Sequence, residues 1–312
     1  MSTLELQLAS FEICAACRNV ATLRVRVENV MEMPRRLWAP PVRDEVLSLR
    51  AFGLTWGVEG KHLDGTVWQD SLQSLAICVD EPIAGVVWPS SLKRLTFGER
   101  FNQPIVGVVW PSSLKRLTFG TFFNQPIARV VWPSSLKQLS FYGRFDQPIA
   151  GVVWPSSLKQ LSFLVFFNQP VAGVVWPSSL EQLTFGTFFN QPIARVVWPS
   201  SLEDLTFWGD FNQPIAGVVW PSSLKRLTFG ERFNQPIAGA VWPCSLEQLT
   251  FRDDFIQPIA GVVWPSSLKR LTFGASFNQP IAEVVWPASL KQLKFGGRFK
   301  TITPVAVVCR NS

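Results

Sequence analysis

The chain has 312 residues, of which 47% are apolar and 16% charged, so its composition excludes an intrinsically disordered protein. A single histidine, His62, excludes most histidine-based catalysis and most histidine-ligated metal sites. The formal charge of +7 is compatible with an anionic partner (nucleic acid, anionic lipid or an acidic protein) and equally with a surface that only keeps the protein soluble.

Residues 1–60 are predicted to form an N-terminal cap that contains degenerate repeats. The segments Val20–Val25 and Val46–Ala51 have the spacing of a short strand whose alternate residues are apolar. The first residues contain neither a basic segment nor a long apolar run, and no later stretch approaches 18 apolar residues. We therefore expect no secretory signal, no membrane span and a cytoplasmic protein.

The five cysteines are irregularly placed and odd in number, which is not typical of a disulfide framework. They are Cys14, Cys17, Cys78, Cys244 and Cys309. The Cys14-x-x-Cys17 pair is compatible with half of a zinc site, with a redox pair and with two small apolar residues of a cap. Because no second pair of cysteines follows, a four-ligand zinc site cannot be completed in any obvious way. We expect no cofactor and no metal.

A repeat of 22 residues dominates the chain and is assigned to residues 61–305, with residues 306–312 as a C-terminal tail. Tryptophan marks each unit, at positions 88, 110, 132, 154, 176, 198, 220, 242, 264 and 286. A fixed period of this length is typical of a solenoid with one short strand per turn.

One unit can be interpreted residue by residue. Leu95 and Phe97 alternate with Thr96, as expected of a strand with one buried and one outward face. Asn102 is expected to bond backbone groups of neighbouring units. The interior is predicted to hold Leu92, Leu95, Phe97, Phe101, Ile105, Val109 and Trp110.

The segment Phe-Asn-Gln-Pro-Ile, followed by Val-Trp-Pro-Ser-Ser-Leu-x-x-Leu, resembles the FNIP repeat, a member of the leucine-rich-repeat clan. The resemblance covers roughly residues 68–305. It implies a leucine-rich-repeat-like solenoid: a parallel β-sheet of short strands, one per repeat, with mostly irregular turn segments as the return path. It also implies that the strand face makes protein–protein contacts.

The two residues after the first leucine of each unit are expected to form two charged columns on the outward strand face. They are Lys93-Arg94, Lys115-Arg116, Lys137-Gln138, Lys159-Gln160, Glu181-Gln182, Glu203-Asp204, Lys225-Arg226, Glu247-Gln248, Lys269-Arg270 and Lys291-Gln292. One interpretation is a solvated ladder of compensating charges, in which Lys225 lies between Glu203 and Glu247. The other is a binding face with a basic patch and an acidic stripe, the stripe comprising Glu181, Glu203, Asp204, Asp210, Asp253 and Asp254.

Several bulky residues depart from the repeat after the strand. Tyr142, Leu164 and Trp208 replace a glycine, and Phe122, Phe166 and Phe188 replace an arginine. Aromatic residues at such positions either act as hot spots of an interface or fold beneath the loop.

The predicted function is a non-catalytic scaffold that binds an unidentified protein through the outward strand face. A repeat places the same group on every turn, whereas catalysis needs different groups that converge on one point. Binding of nucleic acid by the Lys/Arg columns is the alternative, although acids interrupt these columns. The candidate contact residues are Lys93, Arg94, Lys115, Arg116, Tyr142, Glu181, Glu203, Asp204, Trp208, Lys225, Arg226, Lys269 and Arg270.

Overall fold

The computed structural model describes residues 71–300 apart from Val79, together with three strands nearer the N-terminus. The chain divides into two compact units, Met1–Phe145 and Asp146–Ser312, so a boundary falls inside the predicted repeat array. The predicted Val46–Ala51 strand, Cys14, Cys17, His62 and the tail at 306–312 lie outside the described residues.

Among the residues that the structure describes, the first unit contains seven strands. They are β1 (Thr3–Gln7), β2 (Thr22–Arg26), β3 (Thr55–Trp56), β4 (Ser74–Ile77), β5 (Arg94–Phe97), β6 (Arg116–Phe119) and β7 (Gln138–Phe141). Strand β2 overlaps the predicted segment Val20–Val25 and pairs in parallel with β1. Strands β3 to β7 form a parallel sheet in chain order.

The described part of the second unit, residues 146–300, contains seven parallel strands, also in chain order. They are β8 (Gln160–Phe163), β9 (Gln182–Phe185), β10 (Asp204–Phe207), β11 (Arg226–Phe229), β12 (Gln248–Phe251), β13 (Arg270–Thr272) and β14 (Gln292–Lys294). Leu205 of β10 pairs with Leu183 of β9 and Leu227 of β11, so the register advances by one repeat at each strand. This is the repeat solenoid of short parallel strands that the sequence predicts.

Each repeat contributes the same side chains to the core. In the repeat around β5, Leu92, Leu95, Phe97, Phe101, Ile105 and Trp110 are buried, as predicted. Apolar residues recur on one side of each turn, and a single turn is too short to cover them. Neighbouring repeats therefore bury them jointly.

The prediction for Val109 was wrong. Val108 is buried at 5% exposure, whereas Val109 is 78% exposed. The chain is extended here, so successive side chains point to opposite sides and the inward positions belong to Val108 and Trp110.

Aromatic rings stack along the repeats. In the second unit, Phe207 and Phe211 of one repeat lie 4.1 Å apart between ring centroids. Phe211 stacks on Phe189 and Phe233 of the adjacent repeats, with centroids 6.1 Å from each. Because the rings meet in register, replacing one of them removes contacts in three repeats.

The asparagine column bonds the backbone, as predicted. The backbone N–H of Asn124 donates to Oδ1 of Asn102 at 2.8 Å, and that of Asn234 donates to Oδ1 of Asn212 at 2.9 Å. Asp146 replaces the asparagine in one repeat and accepts the equivalent bond. The acceptor oxygen is what this position requires, and both residue types supply it.

Candidate functional site

The backbone at the start of each strand sets the position of the two outward columns. The N–H groups of Lys115 and Arg116 both donate to the carbonyl of Lys93, at 2.9 and 3.0 Å. The N–H groups of Lys137 and Gln138 donate to the carbonyl of Lys115 in the same way, at 2.8 and 3.0 Å. One carbonyl thus holds two consecutive residues of the next repeat, which keeps like positions directly above one another.

In the first unit this register produces a surface with positive charges only, which we call the basic face. It comprises Lys93, Arg94, Lys115, Arg116 and Lys137, all exposed. Their nearest polar contacts are uncharged: Lys93 Nζ donates to Oε1 of Gln73 at 3.1 Å, and Arg116 Nε donates to Oε1 of Gln138. Within the described part of the chain, none of the five forms an ion pair.

Like charges lie opposite one another across neighbouring strands of the basic face. Lysine lies opposite lysine at the first outward position, and arginine lies opposite arginine at the second. Arg94 is the register partner of Arg116. Like charges directly opposite one another destabilise a sheet. An anionic partner would relieve this repulsion.

The strand face of the second unit is built differently, because each of its four acids pairs with a cation of a neighbouring strand, while Arg270 and Lys291 form no ion pair among the described residues. Lys159 contacts Glu181 at 2.5 Å, and Lys269 contacts Glu247 at 2.7 Å. The remaining contacts are Lys225–Glu203 at 2.8 Å and Arg226–Asp204 at 2.9 Å. This surface is the compensating charge ladder that was one of the two interpretations of the sequence.

Glu247 shows the electrostatic effect of this ladder. The hydrogen bond from Lys269 lowers the pKa of Glu247 below its ordinary value, although desolvation opposes it. The positive charges of Lys269, Lys225 and Arg226 lower the pKa further. The carboxylate is therefore held ionised by its cationic neighbours.

Most of the predicted acidic stripe is neutralised in the same way. Glu181, Glu203 and Asp204 are paired as above, and Asp210 contacts Arg232 at 3.0 Å. Asp253 and Asp254 lie on an exposed loop after β12.

The bulky loop residues have different surroundings. The guanidinium of Arg252 lies 4.0 Å from the centre of the Trp208 ring, and that of Arg144 lies 4.4 Å from the centre of Phe122. Trp208 is thus partly covered by a cation–π contact. Tyr142 remains 47% exposed and directly follows β7.

The predicted contact residues therefore do not form one uniform surface. Lys93, Arg94, Lys115 and Arg116 lie together on the strand face of the first unit, with Tyr142 following the last strand of that unit. Among the predicted contact residues of the second unit, Trp208 lies on the loop after β10. The others share the strand face of this unit: Glu181, Glu203, Asp204, Lys225, Arg226, Lys269 and Arg270.

Two features of the surface were not predicted from the sequence. Lys137, which the sequence places in the charged columns, belongs to the basic face although it was not among the predicted contact residues. Within each unit, the valine before the buried tryptophan of each repeat forms an exposed apolar column, which strand-like alternation around that tryptophan would have indicated.

Among the described residues, no group of three or more His, Cys, Asp or Glu side chains is arranged to hold a metal ion. In the same part of the chain, no helix combines the length and apolar character needed to cross a membrane.

The parallel sheets, the 22-residue register and the stacked apolar columns define a leucine-rich-repeat-like solenoid. A family model described as FNIP Repeat matches residues 80–122, 123–164, 167–210, 211–254 and 255–298. The chain belongs to the FNIP repeat family.

Solved structures support the same fold. CroV588, described as a novel circular leucine-rich-repeat protein, is 35% identical with a TM-score of 0.70 over 91% of this chain and 44% of its own. The Drosophila Toll–Spatzle complex gives a TM-score of 0.59 at 13% identity over 94% of this chain and 43% of the matched chain, a likeness in fold alone. This chain thus spans less than half of either neighbour. No curated protein sequence matches it significantly.

Proposed function

We propose that this protein is a non-catalytic scaffold that binds an acidic segment of a partner protein on the basic face. The observation that supports this proposal is the contrast between the two strand faces. The second unit pairs all four of its strand-face acids with cations, whereas the five cations of the basic face have no ion-pair partner among the described residues.

The partner's chemistry follows from the surface. Carboxylates are the anions that lysine and arginine pair with on proteins, and arginine can bind them with two parallel hydrogen bonds. Tyr142 adds an exposed aromatic ring with a polar hydroxyl, a residue type enriched at protein interfaces. Complementary charge would also accelerate association and make it sensitive to salt.

Nucleic acid is the weaker alternative for the same surface. Proteins that bind single strands combine cations with exposed aromatic platforms on which bases stack. The outward residues beside the basic columns are Thr96, Thr118 and Ser140, which offer hydroxyls, and the exposed rings of Phe122 and Tyr142 lie on the loops after the strands rather than between the cations.

The leucine-rich-repeat architecture agrees with a role in protein binding. One structural neighbour is a chain of the Toll–Spatzle complex. The cytoplasmic localisation expected from the sequence stays a prediction, which microscopy of the tagged protein would test.

The test uses fluorescence anisotropy of a labelled Asp/Glu-rich peptide and of a single-stranded RNA with the same number of negative charges. The full chain is compared with a first variant, in which Lys93, Arg94, Lys115 and Arg116 are changed to Gln. The matched control changes Lys225, Arg226, Lys269 and Arg270 to Gln, so both variants lose the same formal charge. Glutamine occurs naturally at these positions in other repeats, and circular dichroism checks that both variants fold.

We expect peptide binding to be lost in the first variant and retained in the control. An equal loss in both variants would mean that only net charge matters and would contradict a specific basic face. Tighter binding of the RNA, with the same dependence on the basic face, would replace the acidic protein by nucleic acid.

A further inference from the structure

The outward valines of the second unit form a contiguous apolar surface on the return side of the repeats. Seven of them are between 75% and 83% exposed, from Val153 to Val285. We call the five that lie between the charged residues Arg195 and Glu283 the valine stripe: Val197 (81%), Val219 (78%), Val241 (75%), Val263 (83%) and Val285 (83%). Scattered exposed valines are normal on a soluble protein, but here they recur at every repeat, next to tryptophan rings that stack between repeats at 6.1 to 6.4 Å, and such a row is a patch.

The surface beside the valine stripe is formed mostly by glycines and carries few charges. The exposed residues two positions before each valine are Arg195, Gly217, Gly239, Gly261 and Glu283. A Cβ added to any of the three glycines would have no heavy atom within 4 Å, so another surface can approach closely there.

The two charges on this turn are of opposite sign and are symmetrically placed. Arg195 lies two repeats before Gly239 and Glu283 lies two repeats after it. Both are exposed, and neither forms an ion pair among the described residues. The segment of the valine column between these two charges therefore has one positive and one negative end, and it is complementary to the same segment of a second copy that runs in the opposite direction.

We propose that the valine stripe is the interface of a two-fold symmetric homodimer centred on the repeat that contains Gly239 and Val241. In such an interface, residue i of one copy faces residue j of the other and the reverse contact also forms. Arg195 of each copy then faces Glu283 of the second copy, and Val241 faces Val241. This surface is separate from the basic face, so the inference does not depend on the proposed function.

The apolar area of the valine stripe indicates how tightly the dimer should associate. An exposed valine offers on the order of 100 Å² of apolar area, so five valines offer roughly 500 Å² per copy. A standard stable interface buries about 800 Å² per partner. The dimer is therefore expected to be weak and to assemble only at high protein concentration.

The first test is sedimentation velocity of the full chain over a wide range of concentration at low salt. Val241→Glu places a charge at the centre of the stripe, and Val153→Glu is the matched control in the same column but outside the stripe. We expect concentration-dependent dimers for the wild type and the control and a monomer for Val241→Glu. A wild type that stays monomeric, or equal dimerisation of all three proteins, overturns the proposal.

The second test addresses the antiparallel register by charge exchange. Arg195→Glu and Glu283→Arg each create two like-charge contacts per dimer, so each weakens association by about threefold to thirtyfold. The double variant restores opposite charges and should recover the wild-type dissociation constant. A double variant that dimerises no better than the single variants overturns this register.

An exposed cysteine provides a direct probe of the centre. Cys244 replaces the serine found at this position in most repeats and lies three residues after Val241. With the other cysteines changed to serine, a short bismaleimide should link the two copies through Cys244. Moving the thiol three repeats away, with Cys244→Ser and Ser178→Cys, should abolish the link, and equal linking of both forms contradicts the central axis.

Discussion

Reversing one lysine in each unit should change stability in opposite directions. Lys115 lies between Lys93 and Lys137 on the basic face, so Lys115→Glu turns two repulsive neighbours into attractive ones. Lys225 contacts Glu203 and lies one repeat before Glu247, so Lys225→Glu turns two attractive neighbours into repulsive ones. Both positions have the same place in the repeat, and the substitution is identical.

The expected size follows from the register. Unit charges about 4.8 Å apart in water interact by roughly 0.9 kcal/mol, and mobility and salt reduce an exposed pair to about 0.3 kcal/mol. Reversing two such pairs changes the free energy of unfolding by about 1 kcal/mol. We expect Lys115→Glu to stabilise the protein by this amount while weakening its binding of an acidic peptide, and Lys225→Glu to destabilise it equally.

Urea denaturation followed by circular dichroism at low and high salt measures both effects. Because salt screens exposed charges, the difference between the variants should shrink as salt is added. Shifts of the same sign, or shifts that do not depend on salt, would refute the electrostatic reasoning. They would also remove the physical basis of the basic face.

Three further predictions concern the second unit. Asn212→Ala leaves the backbone N–H of Asn234 without its acceptor and should cost about 1–3 kcal/mol, measured by urea denaturation and by hydrogen exchange at that amide. Phe211→Ala empties a fully buried site between stacked rings and should cost about 3–5 kcal/mol by the same denaturation assay. Glu247, whose pKa is lowered by Lys269, contributes stability at neutral pH that is lost as the pH falls through its folded-state pKa; Glu247→Gln should reduce this acid dependence in pH titrations of unfolding.

Each of these predictions has an internal control. Asn212→Asp keeps the acceptor oxygen, as Asp146 does naturally, and should be tolerated; equal losses for Ala and Asp would show that the hydrogen bond is unimportant. Phe211→Leu retains most of the buried apolar area and should cost less than Ala. An unchanged acid dependence in Glu247→Gln would show that the contact with Lys269 does not contribute to folding.

The core of each repeat was largely predictable because the repeat itself constrains it. When Leu95, Phe97 and Phe101 recur at a fixed interval, parallel stacking brings like residues together whatever the details of the turns. The role of Asn102 followed for the same reason. Val109 was assigned wrongly because the run of apolar residues in the return segment does not by itself show which ones point inward.

The electrostatic division of the strand face was predictable only in part. The sequence places Lys225 between two glutamates, and the structure pairs it with Glu203 while Glu247 contacts Lys269. A single ammonium group forms a close contact with one of two possible partners, and the choice depends on side-chain geometry.

Trp208 shows a contact that strand spacing does not reveal. Arg252, two repeats away along the chain, covers its ring. The intervening residue is Gly230, which packs against the backbone of Trp208; a Cβ there would lie 2.5 Å from its carbonyl carbon. A side chain at this position would clash, and its absence leaves space for the arginine to reach the ring.

The sequence alone determined the parallel solenoid, its register and the chemical identity of each stacked column, because a translational repeat leaves identical residues no other way to be buried jointly. The tertiary structure decided which valine of each pair faces the solvent, which cations are neutralised and which remain without a counterion. These outcomes depend on distances of a few ångströms between side chains of neighbouring repeats, and the spacing of residues along the sequence does not determine those distances.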